Sequence, residues 1–174
     1  MSIESITVST VMARNVITAK ESQTVKTVAR IMTDSHIGSV VIVRNTDANR
    51  PVGIITERDI VRIAGAEQAL TLQMPVHDIM SKPIIAIAEM SSIKDALQTM
   101  ELNNIRRLPV VDKEKIMIGI VTDKDIFKAL MKNQSLVASF CENLLVDYRP
   151  VYERLSEFML GEMPMPGENQ HEKF

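Results

Sequence analysis

The residues with the clearest chemical potential lie in two short runs that share one pattern, Gly53–Asp59 (GIITERD) and Gly119–Asp125 (GIVTDKD). Each run places a threonine three residues before an aspartate, which is the spacing of a capping box at the start of a helix. A cap requires neither the preceding glycine nor the basic residue before the aspartate. The repeated pattern therefore also predicts a binding site, where helix N–H groups favour an anion and a carboxylate accepts hydrogen bonds from ribose hydroxyls.

Both runs occupy the same place in an internal repeat. An offset of 68 residues aligns 11–43 with 79–111, and after a gap of two residues 51–63 aligns with 117–129. Each copy predicts an extended stretch, an amphipathic helix, two buried strands and a second helix. One copy alone is too small to bury its own apolar surface. We therefore expect an α/β fold of two pseudo-symmetric β-α-β-β-α repeats packed sheet to sheet, followed by a C-terminal helical extension.

Local patterns place the elements within each copy. The extended stretches are expected at 16–18 and 84–87, and the second helices after Thr56 and Thr122. The strands correspond to the apolar runs SVVIV and VGIIT in the first copy, and LPVV and MIGIVT in the second. The first helix of each copy carries apolar residues at i, i+3, i+4 and i+7. These are Val25, Val28, Ala29 and Met32 in the first copy, and Ile93, Ala96, Leu97 and Met100 in the second.

Composition excludes several classes of protein. Of the 174 residues, 45% are hydrophobic and 24% are charged, with a formal net charge of −2. This favours a packed protein without a membrane span, and without a secretory signal we expect it to be cytoplasmic. The balanced charge argues against nucleic-acid binding. One cysteine, three histidines and the absence of a catalytic motif predict neither a metal site nor an enzyme, and no cofactor is expected to be required.

The repeat resembles a pair of CBS domains, the regulatory repeats named after cystathionine β-synthase. The resemblance rests on the order of elements, the repeat length, the pattern G-h-h-T-x-[RK]-D in both copies, and the run RRLPVV at Arg106–Val111. It implies a regulatory module with two clefts between the repeats. Such modules sense adenine ligands, namely AMP, ADP, ATP, NAD or S-adenosylmethionine, and pass their occupancy to a partner protein or to a second copy.

The resemblance also assigns matching ligand-binding residues in the two copies. Aspartates would hold the ribose, threonines would face the phosphate or ribose, and backbone groups of the extended stretch would meet the adenine edge beside an apolar wall. These residues are Asp59, Thr56, Thr18, Val16, Val40 and Val41 in the first copy, and Asp125, Thr122, Ala86, Ile84, Leu108 and Pro109 in the second.

The copies differ where an anion would be bound. Arg106 and Arg107 in the second copy align with Gly38 and Ser39 in the first. Arginine binds phosphate oxygens bidentately and keeps its charge, so one cleft is expected to prefer an anionic ligand. In the resembling family the phosphate ends point towards the middle of the pair. The sequence therefore leaves open which cleft receives the two arginines, and whether they lie instead on a solvated turn.

The repeats are expected at 8–66 and 74–132, a helical extension at 133–160 and a flexible tail at 161–174. Pro150 fits the first turn of a second tail helix or a kink in a continuous one. Five of the six aromatic residues lie in this tail, which suggests either cover for its own repeats or a contact with a partner. We expect a homodimer, because the repeat's own sheets are expected to cover only part of two helix stripes. The stripes are Val25/Val28/Met32 and Ile93/Leu97/Met100.

Two other functions remain open at this stage. The chain would be an interaction scaffold if its clefts stay empty. It would bind nucleic acid if Arg106, Arg107 and Lys124 form a basic surface, although the overall charge argues against this.

Overall fold

The computed structural model of the protein describes residues 5–47, 49–65, 72–132 and 149–162. The predicted tail stripe of Leu136, Phe140, Leu144 and Leu145 lies outside these residues, as does the tail beyond 162. Two short 3-10 turns are formed by Val8–Thr10 and Val76–Asp78. In chain order the other elements are β1 (Thr18–Lys20), α1 (Val25–Ser35), β2 (Ser39–Val43), β3 (Pro51–Thr56), α2 (Glu57–Ala64), β4 (Ile87–Ala88), α3 (Ile93–Leu102), β5 (Arg107–Val111), β6 (Met117–Thr122), α4 (Asp123–Met131) and α5 (Arg149–Glu162).

The two repeats form two sheets of identical topology. In the first, β1 runs parallel to β2, and β2 runs antiparallel to β3; β4, β5 and β6 repeat this arrangement. The register is also repeated, because Ser39 pairs with Thr56 and Arg107 pairs with Thr122. The predicted α/β fold of two pseudo-symmetric repeats with a C-terminal helix is thereby confirmed.

The segment that precedes each sheet packs against the other repeat. These two lead-in segments are residues 8–13 before β1 and residues 76–81 before β4. Val8 lies in the core of the second repeat, and Val76 lies in the core of the first. Backbone hydrogen bonds fix both crossings: the Val8 N–H donates to Ser91 O at 2.8 Å, and the Val76 N–H donates to Gln23 O at 2.7 Å. The segments ahead of β1 and β4 thus pair with the opposite repeat. The strands themselves begin at Thr18 and Ile87, later than the sequence predicted.

The crossings give the motif glycines a role. The backbone of Ala13 pairs with Ile120 of β6, and that of Ser81 pairs with Ile54 of β3. A Cβ atom at Gly119 would lie 2.9 Å from the carbonyl oxygen of Ala13, and one at Gly53 would lie 3.0 Å from that of Ser81. The chain therefore requires glycine where a lead-in segment crosses each motif.

The two helix stripes are covered within the chain. Val25, Val28 and Met32 are at most 4% exposed, and the second-repeat stripe is buried to the same degree. Our expectation that these faces remain partly open for a dimer is therefore wrong. The lead-in segments explain the difference, because Val76 and Val8 lie in the same cores as the stripes and complete the cover that each sheet leaves unfinished.

Helix α5 packs against its own second repeat. Leu155 is 1% exposed within that core, and Phe158 and Met159 pack on the same cluster. The rings of Phe158 and Phe127 lie 6.0 Å apart between centroids. Pro150 falls in the first turn of the helix, which suits a residue without a backbone N–H. Of the two roles left open for the tail, these side chains take the first, cover for the chain's own repeats.

Candidate functional site

A cavity of about 530 Å³ lies between the two repeats. Its size falls in the range typical of small-molecule sites. It is lined by the start of α2, the segment before β4, the turn between α3 and β5, and one side chain of α5. The lining residues are Gly38, Ile54, Thr56, Glu57, Arg58, Asp59, Ser81, Pro83, Ile84, Ile85, Asn104, Ile105, Arg106, Arg107, Pro109 and Arg154.

The threonine and aspartate of the first motif form one edge of the cavity. The Asp59 Oδ2 atom accepts hydrogen bonds from the Thr56 N–H at 2.9 Å and from the Thr56 hydroxyl at 2.7 Å. The Asp59 N–H in turn donates to Thr56 Oγ1 at 3.3 Å, which completes a capping box. The capping role does not conflict with the predicted binding role, since the cap holds the carboxylate at the cavity edge.

The second carboxylate oxygen of Asp59 has only a weak surface partner. Its Oδ1 atom lies 3.3 Å from Nη2 of Arg62, whose side chain is 71% exposed. Such exposed pairs contribute little free energy. A ligand hydroxyl can displace this arginine without breaking the cap, because Oδ2 alone carries the capping bonds.

An apolar wall faces this polar edge. Ile84 and Ile85 come from the segment ahead of β4, and Pro109 comes from β5. The segment is brought here by its crossing, because Ser81 pairs with Ile54 of the first repeat. The cavity thus combines the first repeat's motif with the second repeat's apolar residues.

Three arginines of the repeats add positive charge. Arg58 and Arg106 are exposed, whereas Arg107 is partly buried at the start of β5. Burial lowers the pKa of Arg107 from its ordinary value, and the nearby Asp123 and Glu57 carboxylates oppose this effect. Within the described part of the chain, no ion pair within 4.0 Å is found for Arg107. Its desolvated charge therefore remains available to an anion.

Of the predicted ligand residues, six line this cavity. They are Thr56, Asp59, Ile84, Arg106, Arg107 and Pro109. The sequence left open which cleft receives Arg106 and Arg107. In the structure, both line the cavity that contains the first motif.

The remaining predicted residues lie elsewhere. Thr122 and Asp125 form the matching capping box, with the Thr122 hydroxyl 2.6 Å from Asp125 Oδ2. These two residues line neither this cavity nor the smaller one beside α5. The same holds for six others, of which Val40, Val41 and Leu108 are buried at 0–1% exposure. The six are Val16, Thr18, Val40, Val41, Ala86 and Leu108.

Sequence reasoning missed several residues that the structure brings to the cavity. Asn104 has a left-handed backbone (φ 51°) at the end of α3 and precedes Ile105 and Arg106. Arg58 is the basic residue inside the first motif, so its signal was visible in the sequence. Arg154 lies 47 residues beyond Arg107 on α5, and no local pattern connects the two.

Among residues 5–47, 49–65, 72–132 and 149–162, no group of three or more histidine, cysteine or acidic side chains is arranged to hold a metal ion. No helix within the same ranges is long and apolar enough to cross a membrane.

Two tandem α/β domains with exchanged lead-in segments and a shared cavity define the class of this protein. The family model of the CBS domain matches residues 8–65 and 76–132. The chain therefore belongs to the CBS-domain family, as the sequence resemblance predicted.

Relatives of known sequence share the paired repeats. Protein MK0525 of Methanopyrus kandleri is 40% identical over 126 residues, which cover 72% of this chain and 63% of that protein. The CBS domain-containing protein YhcV of Bacillus subtilis is 32% identical, over 71% of this chain and 85% of that one. An inosine-5′-monophosphate dehydrogenase of Methanocaldococcus jannaschii is 33% identical over 75% of this chain, but the match covers only 26% of the enzyme.

Solved structures have the same fold. A CBS domain protein from Pyrobaculum aerophilum, complexed with AMP, has a TM-score of 0.65 and 22% identity over 87% of this chain and 99% of that one. The CBS domain pair of protein MJ0100, complexed with 5′-methylthioadenosine and S-adenosyl-L-methionine, has a TM-score of 0.62 and 27% identity. That match covers 71% of this chain and 98% of the other. The folds agree across both repeats.

Proposed function

We propose that this protein is a regulatory module that binds an adenine nucleotide in the 530 Å³ cavity between its repeats. The observation that carries the proposal is the composition of the cavity. A helix N-terminus with its carboxylate, an apolar wall and three arginines from the repeats line one space. An adenine nucleotide needs these three surfaces, for its ribose, its base and its phosphate.

The phosphate end is assigned to Arg106 and Arg107. Guanidinium groups form charge-assisted hydrogen bonds with phosphate oxygens, often two at a time. Arg107 gains most from such a ligand, because burial lowers its pKa and its neighbours Asp123 and Glu57 offset that effect only in part. A bound phosphate restores the interactions that the side chain loses with water.

The base and the ribose follow from the remaining walls. Ile84, Ile85 and Pro109 offer the apolar surface that a purine ring would cover. Asp59 offers its Oδ1 atom to the ribose hydroxyls, since Oδ2 is engaged in the cap. The first repeat thus holds the sugar while the second repeat holds the base and phosphate, so ligand affinity depends on how the repeats are arranged.

Known relatives support the ligand class. The CBS domain pair of protein MJ0100 was solved with two adenosyl compounds, and it shares 27% identity with this chain. The more distant Pyrobaculum protein was solved with AMP. The arginines of the present cavity favour the phosphate-bearing members of this class over S-adenosylmethionine.

Regulation would follow from differential affinity. A ligand that contacts both repeats shifts the population towards the arrangement it binds better. The matched region is a minor part of the dehydrogenase relative, which supports a non-catalytic role for the module. The response would pass to an unidentified regulated protein or to a second copy of this chain in a cytoplasmic homodimer. Exposed apolar side chains at Val61 and Leu102 provide contact surface for either.

The experiment is a ligand panel with a matched pair of cavity-blocking variants. Thermal unfolding is followed with adenosine, AMP, ADP, ATP, NAD, S-adenosylmethionine and GMP. We expect the adenine phosphates to raise the unfolding temperature of the wild type, because a ligand that binds only the folded state stabilises it. Ile84→Trp fills the cavity and removes the shift, whereas Val16→Trp changes the corresponding position of the other repeat and keeps it.

Two outcomes would count against the proposal. If no adenine ligand at millimolar concentration stabilises the wild type, the cavity is empty in function and the scaffold interpretation is favoured. If Val16→Trp abolishes the shift while Ile84→Trp retains it, the ligand binds in the other cleft.

A further inference from the structure

Arg154 connects α5 to the cavity. Of the lining residues that the structure describes, it alone comes from outside the two matched repeats. Its helix is held on the second repeat by Leu155 and Phe158, so the position of the guanidinium is set by packing. The cavity therefore has a wall that the CBS repeats themselves do not supply.

The guanidinium is only partly satisfied. Its Nη2 atom donates to Glu101 Oε2 at 2.9 Å, whereas its Nε atom is buried without a hydrogen-bond partner. An arginine has five N–H donors, and leaving a buried donor unpaired costs free energy. The side chain of Arg154 is 19% exposed, so water meets little of this need. Glu101 thus holds one edge of the guanidinium, and within the described residues the Nε atom has no acceptor.

A second cavity shows where an acceptor would lie. A space of about 350 Å³ beside α4 and α5 is lined by Arg106, Lys124 and Arg154, with Asp123, Glu157 and two phenylalanines. Arg106 and Arg154 line both cavities. Two arginines that line the same cavity form a suitable site for a phosphate group.

We propose that Arg154 is a phosphate-binding residue of the nucleotide cavity, which makes α5 part of the ligand site. The inference rests on the proposed function and adds a contact from outside the family's repeats. The phosphate binds between Arg106 and Arg154 and adds an acceptor to the one that Glu101 supplies. Phosphate binding and the docking of α5 on the second repeat then stabilise each other. The factor by which phosphate strengthens the docking of α5 equals the factor by which docked α5 strengthens phosphate binding.

The test uses two variants that break the same ion pair. Arg154→Gln and Glu101→Gln each remove one charge of the ion pair between α5 and α3. In titration calorimetry we expect Arg154→Gln to weaken AMP about tenfold and to leave adenosine within twofold. Glu101→Gln keeps the guanidinium and removes a competing carboxylate, so AMP affinity is expected to stay equal or to increase. Arg154→Lys keeps the charge without the planar fork and is expected to fall between Arg154→Gln and the wild type.

A purely structural role for Arg154 predicts a different pattern. Both glutamine variants would then lose AMP and adenosine affinity alike, or neither would change, and either result overturns the proposal. Circular dichroism establishes that each variant is folded. If Arg154→Gln fails to fold, a loss of AMP affinity in Glu101→Gln still overturns the inference. Absence of AMP binding by the wild type would instead overturn the proposed function itself.

Discussion

The two motif sites of this protein have nearly the same backbone and different surroundings. Thr56–Asp59 and Thr122–Asp125 each form a capping box, with corresponding hydrogen bonds that differ by at most 0.1 Å. Only the first lies in the 530 Å³ cavity with Arg106 and Arg107. By the internal repeat, the equivalent positions for the second motif are Gly38 and Ser39, which carry no charge.

This comparison separates what the fold provides from what the ligand requires. The capping box and the motif glycine occur in both repeats, so they belong to the construction of the module. The adjacent arginines Arg106 and Arg107 have no charged equivalent in the other repeat, so they mark the end at which we propose that phosphate binds. The features that both repeats share therefore belong to the fold, and the difference between the repeats indicates where the ligand binds.

The largest expected effect comes from removing the charge that distinguishes the two sites. Arg107→Ala is expected to weaken AMP by about 1.5–3 kcal/mol, the range for hydrogen bonds to charged groups, which is about 10- to 150-fold in Kd. Adenosine affinity is expected to change less than twofold. Ser39→Ala alters the corresponding position of the first repeat and is expected to change neither the AMP affinity nor the adenosine affinity. Titration calorimetry at two salt concentrations measures this, with AMP affinity falling as salt increases.

Equal losses for AMP and adenosine in Arg107→Ala would show that the arginine supports the structure of the cavity and does not contact phosphate. A loss in Ser39→Ala would remove the proposed difference between the two ends.

The next effect concerns what the sites share. Gly53→Ala and Gly119→Ala each place a Cβ against a crossing segment, with Met80 and Ser81 in the first case, and Met12 and Ala13 in the second. We expect each to lower the free energy of unfolding by about 1–3 kcal/mol, as overpacking does. Urea denaturation measures it. Only Gly53→Ala is expected to weaken AMP as well, because Ser81 lines the cavity. If neither substitution changes the free energy of unfolding, the segments do not cross at the glycines.

A smaller effect separates the two aspartates. Asp59→Asn is expected to weaken both AMP and adenosine by about 1 kcal/mol, which is the net value of one hydrogen bond, because an amide replaces the ribose-binding carboxylate. Asp125→Asn is the matched control and is expected to leave both affinities unchanged. Asparagine retains an oxygen that accepts from the capping N–H, so both variants are expected to remain stable. The opposite result, with the loss confined to Asp125→Asn, would place the ribose at the second motif.

The smallest effect is on the protein without ligand. Burial lowers the pKa of Arg107, which means that the folded state disfavours the charged form of this base. The penalty applies at neutral pH, where arginine remains protonated. Arg107→Met is therefore expected to raise the unfolding temperature slightly while it removes phosphate binding. Arg106→Met, at an exposed position, is the control and is expected to leave the temperature unchanged. A lower unfolding temperature in Arg107→Met would show that the arginine stabilises the free protein.

Local chemistry made most of the fold predictable from the sequence. Thr56 and Thr122 each cap the helix that was predicted to follow them, and Thr24 and Ser92 cap the two amphipathic helices. The strands β2 and β6 correspond to the apolar runs SVVIV and MIGIVT. These features depend on residues close in sequence, and short-range hydrogen bonds and side-chain periodicity are sufficient to define them.

The combination of residues in the cavity was not predictable in the same way. Asp59 and Ile84 belong to different repeats and meet only because the lead-in segments cross. The alignment of Met12 with Met80 was a sign that both lead-in segments belong to the repeat, but not that they cross. Arg154 had no such sign, because its place in the cavity depends on how α5 packs against α3 and α4.

The central claim is that one adenine nucleotide binds with its phosphate at Arg106 and Arg107. A crystal structure of the protein with AMP tests it most directly. The account predicts density in the cavity edged by Thr56 and Asp59, with phosphate oxygens within hydrogen-bond distance of both guanidinium groups. Density for AMP at Thr122–Asp125, with the arginine cavity vacant, would contradict it.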